Sequence, residues 1–264
     1  MTDFTELQGK LRLRILKLHY DANAGHIGCS LSCIDIMIAI LKFLKRPEDS
    51  FILSKGHAAS AVYVLLNHLG EISDDELNSF YKNGTTLPAH PAPLKYKSIP
   101  FATGSLGHGL PIATGIAKAN KLRAEDGMSY VLMSDGETNE GTSWEAAHFA
   151  VANKLDNLVV FIDKNGLQGI GNTKDILGDT AAKSKWDSIG FETIEVDGHD
   201  IGMMCSIAKK ISDEKNGQPK LIIANTAKGR GVSFMENKME WHYLPMDESQ
   251  YKEASEMIRF KYES

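Results

Sequence analysis

The sequence is poor in the residues that mark several protein classes. Its three cysteines, Cys29, Cys33 and Cys205, are odd in number and lack the paired spacing of a zinc site. We therefore expect buried core thiols, and neither a disulfide framework nor a structural metal cluster. The HExxH and CxxC patterns are both absent, which leaves little support for a zinc hydrolase.

Concentrated positive charge is missing as well. The 29 Lys and Arg residues are outnumbered by 34 Asp and Glu residues, and the formal net charge is -5 at pH 7. Because no basic block stands out, we expect neither nucleic acid nor a membrane surface as a partner. The amino terminus shows no signal-like segment with a charged part followed by an apolar part, and we see no apolar run of ~18 residues. We expect a cytoplasmic protein whose partners are small molecules or other proteins.

The chain contains β-prone runs that alternate with helical segments. We predict strands at 51–53, 130–133, 158–162, 192–197 and 220–225. We predict helices at 4–22, 31–45, 58–69, 74–83, 107–124, 143–155, 200–213 and 248–261. Strand, helix, strand in this order forms right-handed parallel units, so the expected fold is α/β: a mostly parallel sheet with helices on both faces. With 42% hydrophobic residues, residues 1–264 can bury the core of a single domain.

Local signals place the ends of some elements and one long loop. Gly25 is expected to end the first helix, and Ser143 is a candidate cap for the helix at 143–155. Four of the eight prolines fall between residues 84 and 105, which predicts a long irregular loop. Long ordered loops in compact domains are often functional, and this loop carries His90.

Polar residues follow two neighbouring strands of the predicted sheet. Asp135 and Gly136 come directly after the run at 130–133, and Asn165 follows the run at 158–162. Because the carboxyl ends of parallel strands meet at one edge, where open α/β sheets bind ligands, these tips should lie side by side. A carboxylate and an amide oxygen suit a small divalent cation, and glycine lets a bulky group approach the backbone. The two tips predict an anchor for magnesium and a diphosphate.

Histidines are concentrated in segments that contain Gly or Pro and should be loops. These are His26, His57, His90, His108 and His242. Histidine donates, accepts and carries charge near neutral pH, so a group of them suits the handling of hydroxyl and carbonyl groups. The remaining histidines show no such context and are interpreted as surface or packing residues. They are His19, His68, His148 and His199.

Eight ordered segments resemble the diphosphate-binding domain of transketolase. They are AGHIG, LSKGHA, AHP, TGSLGHGL, SDGETNEGTSWEA, NLVVFIDKNGLQ, NTAKGRGVSFMEN and EWH. The resemblance covers the chain from about residue 6 to about residue 250. It implies the thiamine diphosphate-binding fold, with thiamine diphosphate and Mg²⁺ or Ca²⁺ as cofactors. It also implies a transferase that moves a two-carbon ketol unit from a ketose phosphate to an aldose phosphate.

The resemblance also implies roles for individual residues of the cofactor site. Asp135, the Asn165 side chain and the Leu167 carbonyl match the metal ligands. The residues that match the family's contacts to the cofactor are His57, Gly104, Ser105, Leu106, Gly136, Glu137, Asn165, Lys228 and His242. Of these, the segment 104–106 matches the part that lies against the aminopyrimidine and the diphosphate, and Lys228 would offset phosphate charge.

The same comparison implies the catalytic residues and one interface residue. His26, His57, His90 and His242 match the family's substrate-channel histidines, which bind the reacting oxygens and assist proton transfer. Glu140 matches a carboxylate that links the two cofactor sites of a dimer.

The sequence departs from the family at four positions. Ser134 and Tyr243 each stand where the family commonly has glycine. Lys164 stands where many thiamine enzymes have asparagine, and His108 replaces a more usual glutamine. Serine is small enough to keep the turn, whereas Lys164 must point away from the metal to avoid like-charge repulsion. The changes put the substrate pocket in question more than the cofactor site.

A full transketolase continues into a pyrimidine-binding domain and a carboxyl-terminal domain, neither of which we expect within these 264 residues. The resemblance therefore implies a separate carboxyl-terminal subunit that supplies the glutamate activating the cofactor, in a dimer of heterodimers. One alternative is a subunit of another thiamine diphosphate enzyme, such as a 2-oxo acid dehydrogenase α chain or a sugar-precursor synthase. Another is a non-catalytic cofactor-binding module.

Overall fold

A sheet of five parallel strands forms the centre of the computed structural model, which describes residues 4–93 and 96–263. The strands are β1 (Ser50–Leu53), β2 (Ser129–Ser134), β3 (Leu158–Lys164), β4 (Glu192–Asp197) and β5 (Lys220–Asn225). Their order across the sheet is β1-β2-β3-β5-β4, and each neighbouring pair is parallel. Every predicted strand is present.

Helices cover this sheet and connect its strands. They are α1 (Thr5–Ala22), α2 (Ile27–Ile38), α3 (Ala59–His68), α4 (Asp74–Leu77), α5 (Gly109–Leu122), α6 (Gly141–Ala152), α7 (Thr173–Leu177), α8 (Lys183–Ile189), α9 (Ile201–Asp213) and α10 (Glu248–Tyr262). Short 3₁₀ turns at Gly56–Ala58, Gly136–Asn139 and Met239–His242 contain candidate site residues.

Successive residues of the central strands point to opposite faces of the sheet, and both faces are buried. On β3, Val159 and Phe161 pack with apolar residues of α1, α2, α3, α9 and α10. Val160 and Ile162 pack with those of α5, α6 and α8. A strand that is buried on both faces reads as a continuous apolar run, as in parallel sheets. The prediction of an α/β fold with helices on both faces is confirmed.

Helix α2 is longer than predicted. It begins at Ile27 and continues beyond Ile38 as a π-helical segment, Ala39–Leu44. The stretch Ile27–Leu44 is long and apolar enough to cross a membrane by length and composition, so the expectation of no such run was wrong. It is 78% buried in this fold, where α2 packs against α1, α3 and α9. Core helices of soluble folds have the same composition, so this stretch alone indicates little about a membrane.

Three predicted boundaries need correction. The helix predicted at 74–83 is only the four-residue α4, which begins with a capping box at Ser73. Helix α1 ends before Gly25, because Asn23 already takes the left-handed conformation. Ser143 does not cap a helix: it lies inside α6 and donates its hydroxyl to the Glu137 carbonyl oxygen at 3.1 Å.

The carboxyl edge of the sheet gathers the loops that hold the candidate site residues. Ser134 on β2 lies opposite Asp163 on β3, and Asp163 lies opposite Ala224 on β5. The residues that follow β1, β2, β3 and β5 therefore emerge next to one another. The prolines at 88, 91, 93 and 100 lie in irregular chain as predicted, although residues 94–95 of that loop fall outside the described residues.

Candidate functional site

Asp135 joins the two polar tips. Its Oδ1 accepts from the Gly136 backbone N–H at 2.8 Å, and its Oδ2 accepts from the Gly166 N–H at 2.7 Å and from the Thr173 hydroxyl at 3.1 Å. Burial and, to a smaller extent, the nearby carboxylate of Asp163 together raise the pKa of Asp135 to about 6. The two polar tips lie side by side as predicted, and the Asp135 carboxylate between them is shielded from water.

Asp163 organises the base of this edge, although the sequence analysis did not single it out. Its carboxylate accepts hydrogen bonds from Lys55, Ser32, Thr226 and the Asn165 amide nitrogen. Burial alone would raise the pKa of Asp163, but the ammonium of Lys55 holds it below its usual value. Two features of the sequence could have indicated this pair. Asp163 follows the predicted strand at 158–162, and Lys55 lies shortly after the predicted strand at 51–53.

A divalent cation fits the oxygen atoms at the tips. Asp135 offers a buried carboxylate whose hydrogen-bond partners are all uncharged, and the Asn165 side chain and the Leu167 carbonyl offer two more hard oxygens. Within residues 4–93 and 96–263, no group of three or more His, Cys, Asp or Glu side chains could hold a metal. These oxygen donors therefore suit Mg²⁺ or Ca²⁺, and other oxygens, such as those of a diphosphate, would complete the coordination of the cation.

Glu137 fixes the glycine-rich loop that precedes α5. Its buried carboxylate accepts from the Gly107 N–H at 2.8 Å and from the Ser54 hydroxyl. Burial raises the pKa of Glu137 to about 7, against the opposing effect of these hydrogen bonds. Glu137 thus supports the loop from below, while Gly104 and Ser105 lie exposed on it and Leu106 is half-buried.

Four histidines from distant parts of the sequence form one cluster. The ring centre of His26 lies 5.1 Å from that of His242, 5.7 Å from that of His90 and 5.9 Å from that of His57. The rings of His57 and His242 are 5.6 Å apart. The structure brings together all four residues that the sequence proposes as catalytic.

The rings of this histidine cluster are held neutral. Burial lowers the pKa of His26 to about 4, with help from the neighbouring His242 and His90. Burial and the charges of Lys228 and Lys55 lower the pKa of His242 to about 4. Burial also lowers the pKa values of His57 and His90. Near neutral pH each ring therefore presents one N–H donor and one bare nitrogen acceptor.

Backbone contacts fix the position of His26 within the cluster. Its φ of 66° lies in the left-handed region, which is uncommon for residues other than glycine. Its N–H donates to the carbonyl oxygen of His242 at 3.1 Å. A side chain on Gly25 would collide with the Tyr243 backbone, so the first and last histidine segments pack closely.

Lys228 connects the metal side of the site to the histidine cluster. Its side chain is buried, with 1% exposure, so it is not a solvated lysine. The ammonium donates to the Leu167 carbonyl oxygen at 3.3 Å and to Nδ1 of His242 at 2.8 Å. Lys228 therefore lies between a candidate metal ligand and a candidate catalytic ring.

The expectation of three core thiols was correct only in part. Cys33 is buried in the core and Cys205 is half-buried, and both are free. Cys29 is buried beside the cluster instead, with its sulfur 3.6 Å from Nδ1 of His242. Burial opposes ionisation, but His57 and Lys228 lower the pKa of the Cys29 thiol to about 7.

Two histidines that were interpreted as surface or packing residues make specific buried contacts. His19 hydrogen-bonds to the Ala24 carbonyl oxygen and, at 2.7 Å, to the Ser60 hydroxyl. His199 lies 2.8 Å from Asp35 through Nδ1 and accepts from a backbone N–H through Nε2. His148 is exposed and His68 half-buried, as expected for such residues.

A cavity of about 390 Å³ opens beside the histidine cluster. It is bordered by His26, His57, His90, Phe80 and Tyr81. A larger open groove of about 1000 Å³ lies elsewhere, between α1, α3 and α10. Of the two, the smaller cavity adjoins the candidate site residues, and its size suits a small polar molecule.

The residues that depart from the family fit the site without blocking it. Lys164 turns to Asp179, with its Nζ 3.2 Å from a carboxylate oxygen, so it points away from Asp135. Tyr243 donates its hydroxyl to the Gly169 carbonyl oxygen at 2.6 Å. Ser134 accepts from the N–H of Glu137 through its hydroxyl at 3.2 Å, which keeps the turn as expected.

Two candidate residues lie at the outer edge of the site. His108 is exposed and its Nδ1 is 2.9 Å from the Leu106 carbonyl oxygen. Glu140 is exposed at the start of α6, and its Cβ lies 2.7 Å from the position of a Cβ built on Gly107. Its position is accessible to a partner chain.

Comparisons with known proteins identify close relatives. Residues 8–264 match the family model for the transketolase, thiamine diphosphate binding domain. The chain is 40% identical over 253 residues to an apulose-4-phosphate transketolase subunit of Actinobacillus succinogenes, covering 91% of each chain. It is 34% identical to 6-deoxy-6-sulfo-D-fructose transketolase subunit SqwG of a Clostridium species, covering 87% of this chain and 86% of the relative.

Solved structures show the same fold. Transketolase from Campylobacter jejuni superposes with a TM-score of 0.87 at 29% identity, over 98% of this chain and 43% of that one. Transketolase from Pichia stipitis in complex with sedoheptulose-7-phosphate gives a TM-score of 0.87 at 27% identity, over 98% and 42%. The chain thus spans less than half of these longer transketolases, but most of the separate subunits it resembles.

Proposed function

The chain belongs to the transketolase family as its thiamine diphosphate-binding domain, and we propose that it is the cofactor-holding subunit of a two-subunit ketol transferase. Its partner would be a separate carboxyl-terminal subunit. The proposal is supported by relatives that are themselves named as transketolase subunits and whose length this chain matches. Longer transketolases, by contrast, are matched over less than half of their length.

One observation carries the proposal of sugar chemistry. Four neutral histidines form one cluster, and three of them, His26, His57 and His90, line a cavity of about 390 Å³. Neutral imidazoles that both donate and accept suit a substrate with several hydroxyl groups and a carbonyl group. A 2-oxo acid carries a carboxylate instead and gains no counter-charge from these neutral rings. The arrangement therefore favours a ketose donor and an aldose acceptor.

The sheet edge would hold the cofactor. Asp135, Asn165 and the Leu167 carbonyl would bind Mg²⁺ or Ca²⁺, and the diphosphate would bind beside Gly136, where the Gln168 side chain lies 2.8 Å from the position of a built Cβ. Lys228 would offset phosphate charge. When bound, thiamine diphosphate supplies the electron sink for breaking and forming the carbon–carbon bond.

The histidines would handle the protons and oxygens of the substrate. A neutral ring can hold a hydroxyl oxygen through its N–H and take up a proton at its bare nitrogen. His26, whose position is fixed by its backbone hydrogen bond to His242, would keep its ring against the donor carbonyl or hydroxyl. His57 and His90, which lie near His26, would contact the substrate on its other sides.

The partner subunit would cover the open side of the site. Ile170 and Leu177, in the segment after the second tip, are 77% and 62% exposed. Leu244, next to the cluster, is 49% exposed. Exposed apolar residues around a site support an interface with another chain. In the proposed dimer of heterodimers the partner supplies the glutamate that activates the cofactor, and Glu140 faces the interface.

The decisive experiment uses the full chain with its candidate carboxyl-terminal subunit, thiamine diphosphate and Mg²⁺. Ketol transfer to ribose 5-phosphate is measured with ketose phosphates and, separately, with pyruvate as donor. We expect transfer from the ketose phosphates, no transfer from either chain by itself, and loss of transfer on Asp135→Ala. Asp213→Ala, which changes an exposed carboxylate at the end of α9, is the matched control and should keep the activity.

Three results would contradict this proposal. Normal turnover of the Asp135→Ala complex would exclude the metal site. Preference for pyruvate would assign the chain to the 2-oxo acid enzymes. Activity of this chain without its partner would refute the two-subunit arrangement.

A further inference from the structure

His242 receives its closest polar contact from Lys228. The Lys228 Nζ lies 2.8 Å from Nδ1 of His242, and the sulfur of Cys29 lies 3.6 Å from the same nitrogen. The lysine is enclosed, with 1% exposure, and His242 is half-buried. This short contact is the strongest constraint on which ring nitrogen of His242 carries the proton.

The direction of the Lys228 hydrogen bond follows from its chemistry. An ammonium group donates only, so Nδ1 of His242 must offer its lone pair. A neutral ring with a bare Nδ1 carries its hydrogen on Nε2. His242 therefore presents an N–H donor on the side away from Lys228, where Gly169 lies. The ammonium has further N–H groups, so the bond to His242 leaves donors for the Leu167 carbonyl oxygen or a phosphate oxygen.

A buried network holds the backbone next to Lys228. The Ala227 N–H donates to Nε2 of His199 at 3.0 Å, so His199 carries its hydrogen on Nδ1 and donates to Asp35 at 2.8 Å. Both carboxylate oxygens of Asp35 also accept from the guanidinium of Arg12, in a pair with no solvent exposure. A two-pronged ion pair of this kind fixes geometry in a way that a surface pair does not.

Close packing restricts the Lys228 side chain further. A Cβ built on Gly28 would lie 3.2 Å from Cγ of Lys228, so the lysine stem runs directly over the start of α2. The Gly229 N–H donates to the Gly28 carbonyl oxygen at 3.0 Å. The lysine head therefore has little freedom to leave His242.

We propose that Lys228 is a positioning residue that locks His242 as the Nε2–H tautomer, so that His242 acts on the substrate as a hydrogen-bond donor and not as a proton-accepting base. This inference rests on the proposed function for the identity of the substrate oxygen. The tautomer itself is a property of the chain and does not depend on turnover. Among the four histidines it assigns His242 the role of holding an oxygen that gains negative charge.

The test is a ¹⁵N NMR measurement on the full chain labelled at histidine. Correlations between ring nitrogens and ring protons report which nitrogen carries hydrogen, and His242→Asn identifies the His242 signals by their loss. We expect a bare Nδ1 and a protonated Nε2 in the wild type. Lys228→Met should give a mixture of the two tautomers, and Lys228→Arg, which keeps a cationic donor, should retain the wild-type pattern.

Two controls separate the Lys228 contact from general effects of substitution. Cys29→Ala should leave the tautomer unchanged, because the sulfur is the weaker and more distant neighbour. Lys183→Met removes an exposed lysine and should also leave it unchanged. A protonated Nδ1 in the wild type, or an unchanged tautomer in Lys228→Met, would overturn the proposal. If Lys228→Met does not fold, a shift to protonated Nδ1 of His242 in the Lys228→Arg chain would also overturn the proposal.

Kinetics of the assembled complex supply the second readout. At saturating thiamine diphosphate, Lys228→Met should lower kcat in proportion to the share of His242 that leaves the Nε2–H tautomer, about twofold for an even mixture, and Lys228→Arg should recover most of it. Equal losses in both variants would show that the donor does not matter and would overturn the proposal. Absence of ketol transfer in the wild-type complex would refute the proposed function while leaving the tautomer assignment standing.

Discussion

Asn165 donates its amide nitrogen to a carboxylate oxygen of Asp163 at 3.2 Å. The hydrogen bond fixes which way the amide points, because its other atom, Oδ1, accepts from the Leu167 N–H at 3.1 Å. The orientation in which Asn165 would present its oxygen to a metal is thus set by Asp163, which is not among the proposed ligands. Lys55, whose ammonium pairs with Asp163 in a fully buried position, holds the carboxylate in turn.

Asp163→Asn is expected to destabilise the chain strongly. The change leaves the Lys55 charge buried without a partner, which should lower the free energy of unfolding by about 3–5 kcal/mol. Urea unfolding of the full chain measures this loss. Lys55→Met combined with Asp163→Asn should be more stable than Asp163→Asn alone, because the double variant buries no charge at this position. A double variant less stable than the single one would show that Lys55 is stabilised by groups other than Asp163.

Metal and cofactor together should stabilise the chain through Asp135. Thiamine diphosphate and Mg²⁺ at about 100 times their Kd should raise Tm by roughly 5–10 °C, and EDTA should reverse the shift. Asp135→Asn should lose the shift, because it removes the only carboxylate among the proposed ligands. Thermal unfolding followed by circular dichroism measures both, with Asp213→Asn as the matched control. An equal shift in Asp135→Asn would remove Asp135 from the proposed metal ligands.

Much of the fold was predictable because its strands are buried on both faces. The run Leu158–Ile162 is apolar throughout, which is typical of a central parallel strand, and β3 is indeed central. Element ends were harder. Helix α2 begins at Ile27 because His26 turns in the left-handed conformation, and no residue type signals this turn. The helix predicted at 74–83 stops after Leu77, because Asn78 and Ser79 favour turns over helix and the chain there turns to pack Phe80 into the core.

The candidate site was predictable where residues stand in recognisable segments. His26 and His242 are far apart in sequence, and their contact follows from the family resemblance and the parallel sheet, not from spacing. The pairing of Lys55 with Asp163 was not predictable, because the two residues are separated by 108 positions and each resembles an ordinary loop charge. The place of Cys29 beside the histidines was missed for a similar reason: thiols on a buried helix face resemble core residues.

Gly56 is a position where any side chain should be harmful. A Cβ there would lie 2.2 Å from the carbonyl oxygen and 2.7 Å from the carbonyl carbon of Thr103, and these backbone atoms cannot yield as the end of a flexible side chain could. Gly56→Ala should therefore destabilise the chain by about 1–3 kcal/mol and move His57, which follows directly. Gly115→Ala is the matched control: its Cβ meets nothing within 4 Å inside α5, so it should stabilise by about 0.5–1 kcal/mol. Urea unfolding compares the two, and equal effects would contradict the steric argument.

The buried ring of His19 should make stability depend on pH. Burial lowers the pKa of His19 to about 4, against partial compensation by hydrogen bonds to the backbone of Ala24 and Gly25. Between pH 6.5 and pH 4 the unfolded chain therefore binds a proton that the folded chain refuses, so stability falls as the pH is lowered. From pH 7 to pH 5 this one ring should cost about 2 kcal/mol.

Buried carboxylates act in the opposite direction over the same range, so the comparison must isolate His19. The pKa values of Asp135 and Glu137 are raised to about 6 and about 7, and each favours the folded state as the pH falls. His19→Gln keeps a polar group near Ser60 but cannot take up a proton. The free energy of unfolding should therefore fall by about 2 kcal/mol less in His19→Gln than in the wild type between pH 7 and pH 5. Exposed His148→Gln should follow the wild type, and equal pH slopes for His19→Gln and the wild type would show that the buried ring is protonated in the folded chain.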